Sequence, residues 1–146
     1  MKKCEFDDLI LFTISKEKVI AVITDYYKNK EEFDGDIEFE IIGQYTGKDW
    51  GGFDDYSGRM NLILKKEITI LDQKIIKESK INQKDIPLKR IFSTMFEEED
   101  YEIESACLDI HAYSANETKF NGLNLFLKSK PKDKVLKKCS NCINDI

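Results

Sequence analysis

The stretch SACLDIHAYSANETKFNGLNLFLKS, residues 105–129, contains two runs in which apolar and polar side chains alternate. Successive side chains of a β-strand point to opposite faces of the sheet, so each run predicts a strand with one buried face. The predicted buried residues are Ala106, Leu108, Ile110 and Ala112 in the first run and Leu123, Leu125 and Leu127 in the second. A polar loop over 114–122 separates the two runs, which predicts an antiparallel pair of strands.

The same two-residue period identifies further strands in the first half of the chain. Residues 37–45 and 60–70 alternate in this way, and residues 4–14 are consistent with a first strand. Asp72-Gln73 predicts a turn that leads the chain back into 74–81. The last two of these strands are therefore expected to form a hairpin.

Helical patterns lie between the predicted strands. Ser15 is a favourable N-cap for a helix over 16–32, which carries an apolar stripe at helical spacing. Asp85 and Pro87 predict the start of a short second helix, and Pro131 predicts the start of a last one. These elements indicate an α+β fold, with an antiparallel sheet of about five or six strands and two or three helices packed on one face. The chain of 146 residues is predicted to form a single domain, 1–146.

Composition and charge argue against several classes of function. The formal net charge of −5 disfavours direct binding to nucleic acid, which requires cationic surface. The N-terminus has Glu5, Asp7 and Asp8 where a signal peptide would be apolar, and the apolar run 9–12 is too short to cross a membrane. We therefore expect a cytoplasmic protein without a membrane partner, whose cysteines are free thiols.

Two short motifs resemble ligand sites but lack the required spacing. The segment GQYTGKD, 43–49, has three residues between its glycines instead of four, and Asp49 stands where a phosphate-binding loop needs Ser or Thr. Cys139 and Cys142 form a single CxxC pair, whereas a zinc site needs four ligands. The pair also lies late in its predicted helix, which does not suit a redox pair. We predict no cofactor and no metal.

Cys107, Asp109 and His111 lie on the same face of one predicted strand. Neighbours on one face are about 6.8 Å apart and the outer two are about 13 Å apart, so Cys107 cannot donate a hydrogen bond to His111 unless the chain bends. We predict that the protein is not an enzyme. Asp109 and His111 remain available to a catalytic site completed by other elements.

The segment YTGKDWGGFDDYSGRM, 45–60, holds four of the seven glycines and the only tryptophan. It predicts an exposed loop between two strands that carries Trp50, Phe53 and Tyr56. Two interpretations remain open at this stage. The aromatic side chains either fold back onto the core or form a surface for a partner.

An acidic run, EEEDYEIE, occupies residues 97–104, and residues 97–127 together carry eight acidic side chains and one basic one. If this acidic run lies close to Asp54 and Asp55 in space, it forms a negative surface that would steer a basic protein partner. Aromatic anchors with charged side chains around them are typical of protein interfaces.

A small acidic chain that carries WGGFDDY and EEEDYEIE and lacks a catalytic set resembles the immunity proteins of bacterial contact-dependent growth inhibition and other polymorphic toxin systems. The resemblance implies a non-enzymatic antitoxin that binds and neutralises a cognate toxin domain, with a basic nuclease as the expected partner. The predicted partner-binding residues are Trp50, Phe53, Asp54, Asp55, Tyr56, Glu97, Glu98, Glu99, Asp100 and Glu102. The alternative is a small-ligand binding domain that uses the glycine and aromatic loop 43–58.

Overall fold

Six antiparallel strands and two helices make up residues 9–131, the part of the chain that the computed structural model describes. The strands are β1 Ile10–Ser15, β2 Asp36–Lys48, β3 Asp54–Ile70, β4 Gln73–Ile81, β5 Tyr101–Ala112 and β6 Thr118–Ser129. The helices are α1 Lys16–Asp25 and α2 Leu88–Ser93. The α+β class and the order of these elements are confirmed.

The strands form two three-stranded sheets instead of the one larger sheet that was expected. The first sheet has the order β1-β6-β5 and the second has the order β2-β3-β4, with all pairs antiparallel. Each hairpin pairs its own strands, and α2 lies between β4 and β5 in the chain. Side-chain alternation identifies the buried face of a strand, but it does not specify which strands share hydrogen bonds.

The hairpin of β5 and β6 confirms the alternation from which its strands were predicted. Leu108 lies opposite Leu123, and Ala106 lies opposite Leu125. Leu108, Leu123, Leu125 and Leu127 are all buried, whereas Cys107 on the other face is exposed. The period of two therefore assigned the core face of both strands correctly.

The first helix is capped as expected but is shorter than predicted. The Lys18 backbone N–H donates to Ser15 Oγ at 3.3 Å, which satisfies one of the free donors at the start of α1. The α-helix ends at Asp25 and continues as one π-helical turn, Tyr26–Lys30. Glu32 then adopts a positive φ of 55°, which ends the helical segment two residues after the π turn.

The second helix begins later than predicted. Asp85 belongs to a 3-10 turn, Gln83–Asp85, and Pro87 is the residue that precedes α2. Ile91 and Phe92 of α2 are buried. The helix predicted to start at Pro131, with Cys139 and Cys142, lies outside the described residues apart from its first position.

The core is shared by both sheets and both helices. Its fully buried side chains are Val19, Ile23, Met60, Leu62, Phe92, Leu123 and Leu125. Each side chain of this size stabilises the fold by about 1.5–3 kcal/mol when it leaves water. Neither helix between residues 9 and 131 has the length and apolar character that a membrane span requires.

Candidate functional site

The β2–β3 hairpin leaves the body of the protein where two glycines face each other. Gly43 lies opposite Gly58 in the strand register. A Cβ atom on Gly58 would collide with the side chain and carbonyl of Ile110, and one on Gly43 would collide with the carbonyl of Ser114. The Gly43 N–H also donates to the carbonyl of Ala115 at 3.3 Å. The absence of two side chains therefore lets the end of the β5–β6 hairpin pack directly on the backbone of β2 and β3.

The tip of this hairpin, residues 48–54, is a turn organised by one carboxylate. Asp49 Oδ1 accepts hydrogen bonds from the N–H groups of Gly51 at 2.8 Å and Phe53 at 2.9 Å. The backbone adds two bonds, from Asp49 N–H to Phe53 O at 2.8 Å and from Gly52 N–H to Asp49 O at 3.0 Å. Gly52 has a φ of +82°, a conformation that glycine adopts without strain. The tip thus has a defined conformation before any partner binds.

The aromatic side chains predicted for this segment are largely exposed. Trp50 is 105% exposed and Phe53 is 73% exposed, so neither folds back onto the core. Tyr45 and Tyr56 lie opposite each other below the tip, with ring centroids 5.6 Å apart in an edge-to-face arrangement. Tyr56 is half-buried and Tyr45 is exposed. The structure therefore brings Trp50, Phe53 and Tyr56 onto one projecting hairpin.

The acidic residues of the tip differ in their roles. Asp54 pairs with Lys48 at 2.7 Å on the surface, and Asp49 holds the turn. Asp55 is exposed and has no ion pair within the described part of the chain. Because Asp49 and Asp54, with Asp55 directly after the tip, outnumber Lys48, this end of the hairpin is negative.

The acidic run begins at the other end of β5. Glu97, Glu98, Glu99 and Asp100 are exposed and follow a 3-10 turn, Thr94–Phe96. Lys130 Nζ donates to the carbonyl oxygens of Phe96 at 2.8 Å and Glu97 at 3.2 Å. A cation at the end of a helical segment is favourable because its last carbonyl groups lack partners. Lys130 therefore fixes the backbone from which the four acidic side chains project.

The rest of the acidic run is partly paired with a cation. Lys128 Nζ lies 2.9 Å from a carboxylate oxygen of Glu104 and 3.9 Å from one of Glu102. The hydrogen bond and positive charge of Lys128 hold the pKa of Glu104 below its ordinary value. Glu102 and Glu104 thus contribute less net negative potential than their number indicates.

The acidic run and the base of the hairpin contact different parts of β5. Ile110, which meets Gly58, lies near the end of β5, whereas the acidic run precedes and begins that strand. The seven residue-to-residue steps from Ile103 to Ile110 span about 23 Å of regular strand. No hydrogen bond or ion pair within residues 9–131 joins the two groups. The base of the hairpin and the acidic run therefore lie at opposite ends of β5.

The predicted polar face of β5 contains one side-chain contact. His111 Nε2 lies 3.0 Å from Asp109 Oδ1, and the His111 side chain is 58% exposed. Cys107 is exposed, and its Sγ lies 3.7 Å from the carbonyl oxygen of Leu108, the next residue in the chain. In the described part of the chain, no three His, Cys, Asp or Glu side chains are grouped so that they could hold a metal ion.

One polar cluster was not predicted from the sequence. Asn61 is only 7% exposed, and its Nδ2 donates to Glu40 Oε1 at 2.9 Å. Lys80 Nζ approaches the same Glu40 oxygen at 3.3 Å. The hydrogen bond from Asn61, followed by Lys80, lowers the pKa of Glu40. The available signal was the asparagine inside the otherwise apolar run 60–64.

No protein-family model matches the chain, and no curated protein or solved structure shows significant similarity to it.

Proposed function

We propose that the protein is a non-enzymatic binding protein that neutralises a cognate toxin domain, with the β2–β3 hairpin tip as its principal contact. The observation that carries the proposal is the full exposure of Trp50 on a turn that Asp49 holds in place. A tryptophan in this position contributes nothing to the core. It is available to bury a large apolar surface when a partner arrives.

The conformation of the tip favours binding because the turn is already ordered in the free protein. Four hydrogen bonds within the turn fix the backbone between Asp49 and Phe53. Association then costs less conformational entropy than it would for a mobile loop. Aromatic anchors of this kind carry most of the binding energy in many interfaces, and the loss of one costs about 2 kcal/mol or more.

The charge of the tip favours a basic partner. Asp54 and Asp55 lie beside Phe53 and would guide the approach of lysine or arginine side chains. The acidic run, which includes Glu97, Glu98, Glu99, Asp100 and Glu102, contributes to long-range steering under this proposal, and the tip provides the close contact. A nuclease domain is the proposed partner because nucleic-acid binding requires a cationic surface.

The alternative, in which loop 43–58 closes over a small ligand, has less support. Clefts of about 510, 460 and 220 Å³ are formed by the described residues, and of the loop 43–58 only Gln44 contributes to their lining, at the 460 Å³ cleft. Trp50 and Phe53 project outward instead of enclosing a cavity. A cytoplasmic location without a membrane partner belongs to the same proposal as the antitoxin function.

The experiment that tests this function is co-expression with a candidate toxin. If the gene upstream encodes a large secreted protein, its variable C-terminal domain is produced in cells with and without this chain. We expect the chain to restore growth, to co-purify with that domain and to block nucleic-acid cleavage in vitro. A toxin domain that remains fully active in the presence of excess chain would contradict the proposal.

A further inference from the structure

The outer face of the second sheet, opposite the core, contains a polar cleft of about 460 Å³. Its cationic lining residues are Arg59, Lys80 and Lys84, and the neutral polar ones include Asn61, Asn82 and Gln83. The volume lies within the range of about 300–1,000 Å³ that is typical of small-molecule sites. No carboxylate of residues 9–131 belongs to the lining, although Glu40 lies directly behind Asn61 and Lys80, so the lining is positive in a protein that is negative overall.

Arg59 is the residue in this cleft whose bonding is incomplete. Its Nε is buried and has no hydrogen-bond partner within the described residues. A buried donor without an acceptor is unfavourable, and more so when the group is charged. Because Nε is shielded, a ligand in the cleft would reach Arg59 through the terminal nitrogens of the guanidinium, whose planar fork matches two oxygen atoms of a carboxylate or phosphate. The side chain therefore lacks an oxyanion acceptor.

The other cations differ in how far their charge is already neutralised. Lys80 lies 3.3 Å from Glu40, which also accepts the hydrogen bond from Asn61. Lys84 forms no ion pair among residues 9–131, and neither does Arg59. Once Glu40 is counted against Lys80, two positive charges remain for a ligand.

A hydrogen bond to the backbone of β3 holds the side-chain amide of Gln83 in place as one further donor. Gln83 Oε1 accepts a hydrogen bond from the Met60 N–H at 2.7 Å, which ties the 3-10 turn to the neighbouring strand. Because the amide oxygen is engaged in this way, the amide nitrogen of Gln83 remains as a donor. Lys84 is the next residue of the same turn, so the bond also positions its backbone.

We propose that this cleft binds a small oxyanion, a carboxylate or phosphate compound, with Arg59 as the bidentate contact and Lys84 as the second cation. The site is distinct from the hairpin tip and does not depend on the proposed antitoxin function. Asn61, Asn82 and Gln83 would select ligands that carry additional hydrogen-bonding groups.

The test is a titration of the whole 15N-labelled chain with inorganic phosphate and, separately, with succinate, at constant ionic strength maintained with chloride. We expect at least one probe to produce saturable shifts of the Arg59 Nε–H and Gln83 side-chain amide resonances. Saturation by phosphate alone would assign a phosphate compound, and saturation by succinate alone would assign a carboxylate. Arg59→Gln and Lys84→Gln should each weaken the binding at least 10-fold.

Lys74→Gln is the matched control, because Lys74 is an exposed cation of the same sheet that does not line the cleft. The Lys74→Gln variant should bind phosphate or succinate with the same affinity as the unmodified chain. Lys84→Gln changes an exposed side chain, so its result does not depend on whether Arg59→Gln folds normally. The absence of saturable shifts with both probes would overturn the proposal, as would equal weakening by Lys74→Gln and Lys84→Gln.

Discussion

Gly43 and Gly58 lie directly opposite each other on β2 and β3, and the end of the β5–β6 hairpin packs against both. A Cβ on Gly58 would lie 2.5 Å from the carbonyl oxygen of Ile110, and one on Gly43 would lie 3.1 Å from the Cβ of Ala112. The two sheets meet here without hydrogen-bonded strand pairing between them. This glycine pair therefore marks the base of the part of the β2–β3 hairpin that projects from the core and carries the aromatic tip.

We expect Gly58→Ala to destabilise the protein by about 1–3 kcal/mol, because the added methyl group cannot be accommodated without moving backbone. The measurement is the urea midpoint of unfolding. Thr69→Ala, an exposed position of the same strand, should change the free energy of unfolding by about 0.5 kcal/mol or less. Equal stability of the two variants would show that the close approach at Ile110 is absent in solution.

Asp49→Ala should loosen the tip without unfolding the domain. The substitution removes the acceptor for Gly51 and Phe53, whose amide hydrogens should then exchange faster with solvent. Global stability should change by about 0.5 kcal/mol or less, because the turn lies outside the core. Asp55→Ala, which removes an exposed carboxylate that accepts no hydrogen bond within residues 9–131, should leave both amides unchanged. Unaltered exchange in Asp49→Ala would contradict the assigned role of this carboxylate.

The Glu40 cluster predicts part of the acid sensitivity of the fold. Its pKa is lowered in the folded state by Asn61 and then by Lys80, so ionised Glu40 stabilises the protein above its unfolded pKa of about 4.3. That contribution is lost as the pH falls through the lower, folded pKa. Glu40→Gln keeps an acceptor for Asn61 but cannot titrate, so its stability should fall less steeply below about pH 5. Identical acid dependence in the two proteins, measured by thermal unfolding, would exclude this linkage.

The β3–β4 turn contains a residue that its backbone conformation disfavours. Leu71 and Asp72 have φ values of 52° and 64°, as in the two-residue hairpin turns that favour asparagine and glycine. Leu71 is also 90% exposed, so its side chain stabilises little. We expect Leu71→Asn to raise the free energy of unfolding by about 1 kcal/mol. Thr69→Asn, which introduces the same residue at a regular strand position, should not raise the free energy of unfolding. If both variants were stabilised equally, relief of backbone strain at Leu71 would be ruled out.

The elements of this fold were predictable where a local pattern determines them. Leu108 and Leu123 show the period of two, and Ser15 shows the preference for N-caps, so these features were predicted correctly. The turn was predicted one residue too late, at Asp72-Gln73, because Leu71 is an unusual residue for a positive φ. Local preferences therefore fail where the backbone adopts a conformation that the side chain does not favour.

The arrangement of the two sheets and of the site depended on contacts distant in the chain. Nothing local to Gly58 indicates that Ile110 will occupy the space beside it. For the same reason the positions of the hairpin base and of the acidic run along β5 could not be obtained from charge counts. The sequence did identify Trp50 as the residue to examine, but its exposure follows from the turn that Asp49 organises.

The central claim is that Trp50 and Phe53 anchor a protein partner, and its most direct test is the affinity of the candidate toxin domain for three variants. The Trp50→Ala and Phe53→Ala variants should each weaken binding by about 2 kcal/mol, roughly 30-fold, with unchanged thermal stability. Ile76→Ala removes a similarly exposed apolar side chain from the other hairpin of the second sheet and should bind like the unmodified chain. If Trp50→Ala and Phe53→Ala retained full affinity for a domain that the unmodified chain binds, the tip would not be the interface.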